Sequence, residues 1–473
     1  MSFVSIRVHS RLLFESIRGP LCVLAALRQT NVTARDVSLA WAGGVRISLA
    51  LVAWTSGFPC AGRIASLNHM PVAPLRSFPE ESSQFRHLTT LATTPCFLPL
   101  ASASLFVGLG NAVGGSYLTL FVIDKAHLSP LALGVFLTVY SLSGMIVSTS
   151  FGRWFDLRPS PIPLRLALVM TISGYTLLSV TTNFYLLLLI AGLPLGMSLA
   201  VFPQLFALAK GHLDRVGAEM AERGTAMMRA TWSIAWALGP ALGALMIGLF
   251  DFRGVFLTAA LFVVLATVIV VLARVDAFPS SPDTGLERKP SSGTLRRSGF
   301  AALSLTLFHM AMFFGSIALP IVATHELGGT KSDVGLIFSV CALLEVPVMF
   351  AFVLRPSVAG NRGWISAGFL AFILYFLTIT WGSSVAIFLV AQVLRAVGIG
   401  LISYQGISYM QALMPDRAGS AATLFANTAN AGFLFASLSA GGWAQAFGYR
   451  SMFLVCAVLS VLGLVMIQLQ PRR

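Results

Sequence analysis

Charged residues are scarce in this sequence: only 10% of its 473 residues are Asp, Glu, Lys or Arg, whereas 56% are hydrophobic. A soluble globular protein usually has about a quarter charged residues, so the composition excludes a chain built from ordinary soluble domains. Runs of about 20 apolar residues, long enough to span a bilayer as helices, recur along most of the chain. The sequence therefore predicts an all-α polytopic membrane protein.

Several chemical signatures are also missing. The five cysteines show no paired spacing, which argues against a disulfide framework and a zinc site. The sequence has no P-loop, no nucleophile elbow and no cluster of metal ligands. We therefore predict that the protein is not an enzyme, that it has no metal or other cofactor, and that ATP does not drive it.

Twelve apolar segments are present from residue 97 onward. They divide into two predicted six-helix bundles, residues 97–274 and 300–473, joined by a polar linker at 275–299 that is rich in Pro, Ser and charge. The predicted helices lie at 97–122, 131–150, 165–182, 184–208, 226–249 and 252–274, then at 300–322, 332–354, 362–381, 383–412, 417–443 and 448–470.

The formal net charge of +14 would suggest nucleic acid as the partner of a soluble protein. In a membrane protein, Lys and Arg in loops instead set the orientation and contact lipid headgroups. With a cytoplasmic N-terminus, sixteen Lys and Arg after residue 97 lie on the cytoplasmic side and four on the other: Lys125, Arg253, Lys331 and Arg450. This asymmetry predicts a multi-pass protein of the inner (plasma) membrane with both termini cytoplasmic, and no nucleic-acid partner.

Residues 1–96 do not fit the pattern, because they contain nine Arg, no Lys and few acids. We predict an extension that is disordered or that precedes the true translation start, near Met70. Recovery of native peptides upstream of Met70 would contradict the second of these readings.

The two halves of the chain repeat each other. "FDFRGVFL" (250–257) and "FGYRSMFL" (447–454) share the pattern Phe-x-aromatic-Arg-x-x-Phe-Leu. Two repeats of six helices with a cytoplasmic linker are typical of major facilitator transporters, and such repeats place the binding site near the bilayer midplane between the halves.

Two short motifs point the same way. In "FGRWFDLRP" (151–159), Gly152, Asp156 and Arg158 resemble the gating loop of that superfamily, although Leu157 replaces the first Arg of the signature and its trailing basic pair is missing. In "AWALGPALGA" (235–244), Gly239, Pro240 and Gly243 resemble the antiporter motif of its exporters. A kinked, closely packed helix would show the same three residues.

The charges inside the helices are the most informative residues. Glu345, in "VCALLEVPVM", is the only acid deep inside a predicted helix; Arg229 and Arg395 are predicted to be the buried bases, and His309 can titrate near neutral pH. A charge at the bilayer centre costs about 2.5–3.5 kcal/mol on insertion scales, so it should face the bundle interior or a wet cavity. Glu345 could bind substrate hydroxyls, carry a proton, or pair with an arginine.

Other polar side chains lie at similar depths. Each of them alone is most simply interpreted as a hydrogen-bonding contact between helices, but together they predict a polar cavity. Amides suit sugar hydroxyls because they both donate and accept hydrogen bonds. The predicted substrate-binding set is Asn111, Gln204, Arg229, Trp232, His309, Glu345, Gln405, Gln411 and Asn427.

Four stretches resemble the sugar efflux transporter family of the major facilitator superfamily: "FPQLFALAKGH" (202–212), "RATWSIAWALGPALG" (229–243), "LLEVP" (343–347) and "QALMPDRAGSAATLFANT" (411–428). The resemblance covers roughly residues 97–470 and implies proton-driven export of small sugars and glycosides. The residues that match the family by position are Gln204, Arg229, Glu345, Gln411 and Asn427, whereas Arg395 and His309 lie outside its pattern.

We accordingly predict a monomeric sugar/proton antiporter that works by alternating access. Glu345 would carry the proton, tuned by Arg229, Arg395 or His309. Two alternatives remain open from the residues alone. A multidrug/proton antiporter is favoured by the helix-five motif and the 35 Phe residues. A membrane sensor that binds sugar without moving it has no appended soluble domain to support it.

Overall fold

The structure, a computed structural model, describes residues 96–275, 292–354, 362–414 and 418–470. Every element in these ranges is helical. The predicted extension before residue 96 and the polar linker up to residue 291 lie outside the described residues, so the predictions made for them stay predictions. The boundaries proposed for the two bundles likewise stay predictions.

Helices α1 to α12 follow the predicted segments in order. Three of them contain a π-helical turn: α1 ends in one at Phe121–Lys125, α4 is interrupted by one at Ala191–Leu195, and α7 ends in one at Val322–Glu326. The helix Ala218–Leu272 is broken at Asp251, so we call its limbs α5 (residues 218–250) and α6 (residues 252–272). The bounds of the others are Phe97–Leu120 (α1), Pro130–Leu157 (α2), Ile162–Leu178 (α3), Phe184–Ile190 with Gly196–Asp214 (α4), Ser292–Ile321 (α7), Lys331–Leu354 (α8), Arg362–Trp381 (α9), Val385–Leu413 (α10), Ala418–Phe447 (α11) and Ser451–Leu469 (α12).

Eight of the described helices are long and apolar enough to cross a membrane. One of them, Met227–Leu272, is 46 residues long and contains the break at Asp251, and the shorter Ile162–Leu178 is also apolar. The predicted polytopic helical fold is confirmed, and the twelve helical segments agree with the predicted number.

Helix starts follow local capping chemistry. Ser129 accepts a hydrogen bond from the Ala132 backbone N–H ahead of Pro130, the first residue of α2. Asn183 and Ser384 cap α4 and α10 in the same way. These caps satisfy N–H groups that a helix leaves unpaired at its start, and proline fits the first position because it has no N–H to satisfy.

The helices form two halves, α1–α6 and α7–α12. Within the first half α1 packs along α5 and α6, and within the second α7 packs against α11 and α12. The halves meet mainly through two helix pairs, α2 with α11 and the Ala218–Leu272 helix with α8, and α1 adds smaller contacts with α7 and α8. A site on α5 or α8 therefore lies where the two halves face each other.

The turns between helices lie at two ends of the bundle. We call the end that carries residues 126–129 and 327–330 the far end, and the end where α6 finishes and α7 begins the linker end. Close approaches between the halves occur toward the far end. A Cβ on Gly441 of α11 would lie 2.6 Å from the Gly134 Cα of α2, and one on Gly335 of α8 would lie 2.4 Å from the Pro240 carbonyl oxygen of α5.

Candidate functional site

A cavity of about 170 Å³ lies between the halves. Helix α5 contributes Trp232, Ser233 and Trp236, and α8 contributes Ala342, Glu345 and Val346. On each helix these residues are spaced three or four apart, with one adjacent pair, which places them on one face. The cavity therefore lies between the halves, where the repeat pattern predicted a site, and it contains the acid that the sequence singled out.

Glu345 is half-buried at the wall of this cavity. The Cys341 thiol, one helical turn earlier, donates to its Oε1 atom at 3.5 Å. The charge of Arg395 acts on the carboxyl, but these two described residues form no direct ion pair. In this structure, therefore, Glu345 makes no direct ion pair with Arg395, and the three interpretations of this carboxylate stay predictions.

Arg395 of α10 is buried, with 6% of its surface exposed, and neutral groups hold it. Its Nη2 donates to the Ser316 hydroxyl of α7 at 2.8 Å, and its Nη1 lies 3.5 Å from the Gln392 amide oxygen. The guanidinium carbon also lies 5.3 Å from the ring centre of Phe338 and 5.9 Å from that of Tyr375. This arrangement keeps a cation inside the second half without neutralising it.

A guanidinium forms this set of contacts and an ammonium does not, because the planar group donates in several directions and stacks on rings. We expect Arg395→Lys to lower the free energy of unfolding by about 1.5–3 kcal/mol, the range for a lost charged hydrogen bond. Thermal unfolding in detergent measures this. The matched control is Arg229→Lys, since Arg229 is exposed; equal losses in both variants would contradict the role given to the Arg395 contacts.

The prediction that Arg229 is buried is wrong. Its side chain is exposed, and the reason is its position on α5. Arg229 precedes Trp232, Ser233 and Trp236 by three, four and seven residues, so it shares the face of α5 that lines the cavity. It lies one turn from the cavity toward the linker end, on an open face instead of in the core.

His309 of α7 is buried, but it belongs to a contact between α7 and α11. Its Nδ1 lies 2.8 Å from the Leu305 carbonyl oxygen and 3.2 Å from the Thr428 hydroxyl. A carbonyl oxygen only accepts, so Nδ1 carries the hydrogen. Gly432 packs against the same residue, since a Cβ there would lie 2.5 Å from the His309 Cβ. The structure does not bring His309 to the cavity wall.

The amide side chains of the predicted set are dispersed. Asn111 accepts a hydrogen bond from the Tyr175 hydroxyl at 3.0 Å. Gln204 is 2% exposed, and its amide oxygen is buried without a partner among the described residues. Gln405 is buried, Gln411 is half-buried and Asn427 is exposed. Of the nine predicted residues, the structure places Trp232 and Glu345 on the cavity wall.

The helix-five motif packs α5 tightly. A Cβ on Gly239 would lie 2.4 Å from the Ala112 Cβ of α1, and one on Gly243 would lie 2.6 Å from the Tyr117 ring. The Pro240 carbonyl accepts a hydrogen bond from the Tyr117 hydroxyl at 3.4 Å. In the predicted gating loop, Gly152 has open space around it and Arg158 is exposed, while the Asp156 side chain lies outside the described part of the chain.

Sequence reasoning missed Ser233 and Trp236 on the cavity wall, although their helical spacing from Arg229 could have indicated them. It also missed Ser316 and Tyr375 as partners of Arg395. A serine or tyrosine inside an apolar helix carries no signal of its partner, because only the packing of α7, α9 and α10 brings these side chains to one point.

Known proteins resemble this chain over most of its length. The family model of the Major Facilitator Superfamily matches residues 100–350 and 301–473. A protein of Deinococcus radiodurans that is named as a sugar efflux transporter is 36% identical over 80% of this chain and 99% of its own. Sugar efflux transporter C of Escherichia coli is 28% identical over 80% of this chain and 97% of its own.

Solved structures show the same fold at much lower identity. The nucleoside transporter NupG matches with a TM-score of 0.64 at 11% identity, over 79% of this chain and 98% of that one. A peptide transporter of the POT type matches with a TM-score of 0.65 at 15% identity, over 82% of this chain and 98% of that one. At these identities the likeness concerns the arrangement of helices.

Proposed function

Because this chain belongs to the sugar efflux transporters of the major facilitator superfamily, we propose that it exports small sugars or glycosides across the plasma membrane in exchange for protons. One observation carries the proposal: a carboxylate, Glu345, lines a cavity between the two halves together with two tryptophans. A cavity between repeats is where a transporter exposes its substrate to one side at a time.

The proposed mechanism is alternating access. The close approaches at Gly441 and Gly335 hold the far end together. The excess of Lys and Arg in the loops and C-terminus at the linker end makes that end cytoplasmic, with both termini there. In this arrangement sugar enters from the cytoplasm, and rocking of the halves as a monomer releases it at the far end.

The cavity offers complementary contacts to a sugar. The indole rings of Trp232 and Trp236 suit the apolar face of a pyranose, and their N–H groups can donate to its oxygens. Ser233 and Glu345 can accept from hydroxyls, and the unpartnered Gln204 oxygen is one further acceptor. The cavity is smaller than the roughly 300–1,000 Å³ of typical ligand pockets, so these groups contact one sugar unit of a larger glycoside.

The coupling of sugar transport to proton transport would depend on the interaction between Glu345 and Arg395. The two charges interact without direct contact, so the helices that carry them can approach when the carboxyl is ionised and separate when it is protonated. Arg229, at the cytoplasmic side of the cavity, would attract the carboxylate from the other side. Proton and sugar would then use the same carboxyl in turn, which is what exchange requires.

Transport into inside-out vesicles tests the function. Labelled glucosides or galactosides should accumulate in the vesicles when the vesicle interior is made acidic, because protons that leave down their gradient drive sugar inward. An uncoupler should abolish the accumulation. Vesicles without the protein provide the control. An absence of saturable sugar movement with and without the gradient would contradict sugar export.

A multidrug/proton antiporter is the second candidate. The observation that favours it is the pairing of two tryptophans with one acid, since aromatic faces and a carboxylate also attract organic cations. Resistance profiles of cells with and without the gene separate the two candidates: protection against toxic glycosides alone supports sugar export, whereas protection against cationic drugs supports the second.

A further inference from the structure

Asp251 has a backbone conformation that usually requires glycine. Its dihedral angles are φ 57° and ψ −164°, in a region that residues with a Cβ avoid because of steric strain. The equivalent residue of the second repeat is Gly448, at φ 77°. The turn between the last two helices of each half therefore favours glycine, and the first half has an aspartate there.

The Asp251 carboxylate lies between lysines of both halves. Lys125, from the end of α1 in the same half, donates to Oδ2 at 2.9 Å. Lys331, the first residue of α8 in the other half, lies 3.7 Å from Oδ1 and 4.3 Å from the ring centre of Phe252. One carboxylate thus joins the two halves at the far end.

The Asp251 carboxyl is ionised near neutral pH. Partial burial raises the pKa of this carboxyl, but the hydrogen bonds from Lys125 and from the Phe252 backbone, with the charges of both lysines, outweigh burial and hold the pKa below its ordinary value. A lowered pKa means that the pairs are formed above the ordinary carboxyl range and are lost only as the pH falls through the lowered value.

A second side-chain contact crosses between the halves at the same end. Asp124 Oδ1 lies 2.7 Å from His325 Nε2. Both residues occupy the fourth position of a π-helical turn, Phe121–Lys125 at the end of α1 and Val322–Glu326 at the end of α7. These are equivalent places in the two repeats, so the pair joins the halves across the axis that relates them.

The corresponding contact of the second half stays inside that half. Arg450 donates to Glu326 at 2.7 Å, which ties the start of α12 to the end of α7. Gly448, at the position of Asp251, has no side chain to reach the first half. The aspartate at this position of the first half, where the second half has glycine, therefore adds a contact between the halves.

We propose that Asp251 is a positioning residue of the transport cycle: with Lys331, and beside the pair Asp124–His325, it forms a charged latch that holds the far end of the two halves closed. The glycine position is occupied by aspartate because the carboxylate is needed there. This proposal rests on the alternating access proposed above, but not on the identity of the substrate.

The strain at Asp251 belongs to the turn and not to the closed state, since Gly448 adopts a similar φ where no latch residue is present. Replacement by glycine should therefore separate two effects. Asp251→Gly relieves strain, so the unfolding temperature should stay the same or rise. It also removes the carboxylate, so the ratio of molecules with an open far end to molecules with a closed far end should increase.

The experiment measures the width of the far end directly. Spin labels are placed at Thr182 and Ser383, which are exposed residues in the turns before α4 and α10. The full-length protein, with its native cysteines removed, is reconstituted in lipid nanodiscs. The distance between the two labels then reports the separation of the halves at the far end. We expect Asp251→Gly and Lys331→Gln to raise the population of long distances about 1.5- to fivefold, the range that an exposed ion pair of typical strength supports. The exposed neighbour Arg253→Gln should not shift it.

Salt gives a second readout that a purely structural role would not move. High ionic strength screens exposed pairs, so it should widen the far end of the parent protein more than that of Asp251→Gly. Distance distributions identical to the parent in both Asp251→Gly and Lys331→Gln would overturn the proposal, as would a fall in unfolding temperature of Asp251→Gly without any change in distance. A protein that moved no sugar would still give these distances, so a wrong substrate and a wrong latch are told apart.

Discussion

Glu345→Gln is expected to eliminate proton-driven sugar accumulation while leaving sugar exchange intact. Glutamine keeps the size of the side chain and its hydrogen bonding but cannot release a proton, so the cavity between α5 and α8 should still bind sugar and the halves should still rock. Accumulation in vesicles under a pH gradient and counterflow of labelled against unlabelled sugar measure the two activities separately.

The matched control for this variant is Asp333→Asn. Asp333 lies in the first turn of the same helix, where its carboxylate accepts from the Thr330 backbone and hydroxyl, and asparagine can accept in the same place. Coupling should therefore survive there. Loss of both accumulation and exchange in Glu345→Gln would contradict the proton-carrier role and make Glu345 a substrate or structural residue.

Gly441→Ala is expected to reduce transport about tenfold or more, because overpacking costs about 1–3 kcal/mol and 1.4 kcal/mol corresponds to a factor of ten. A Cβ on Gly441 would lie 2.6 Å from the Gly134 Cα and 2.7 Å from the Pro130 carbonyl oxygen. These are backbone atoms of α2 in the other half, so they cannot relieve the clash by a change of side-chain rotamer. The cost falls on the state in which the far end is closed, so the initial rate of sugar entry from the cytoplasmic side should fall most.

The neighbouring residue provides the control. Gly442 follows Gly441 on α11, but a Cβ there would have no atom within 4 Å. Gly442→Ala should therefore transport at the parent rate, and helix propensity should slightly favour alanine at either position. Equal rates for the two variants, at equal expression in the membrane, would mean that the α2–α11 approach does not limit transport.

The sequence predicted the features that depend on the position of a residue within its apolar helix and on the repeat of the two halves of the chain. Glu345 could be located because a carboxylate within an apolar helix must face the interior, and its helix had to lie between the halves if the repeats paired as in other transporters. The close packing at Gly239 and Gly243 also follows from the size of glycine, although the sequence did not identify α1 as the helix that they contact. These inferences use only the position of a residue along its own helix.

The features that the sequence did not predict depend on pairs far apart in the chain. Arg229 was expected inside the core, but which face of α5 opens to the cavity is decided by how α5 meets α8. His309 was assigned to the cavity from its depth, whereas its ring is turned toward Thr428. Asp251 was not singled out from the sequence, because only the backbone angle reveals that its turn favours glycine.

We propose that sugar and protons move in opposite directions through one protein. The most direct measurement places purified protein in liposomes containing a pH-sensitive dye, and adds a glucoside or galactoside to one side without any imposed pH gradient. Sugar moving down its gradient should drive protons the other way, so the internal pH should change on adding sugar, and it should not change with Glu345→Gln. Saturable sugar flux with no pH change in the parent protein would contradict proton exchange and leave a passive sugar carrier.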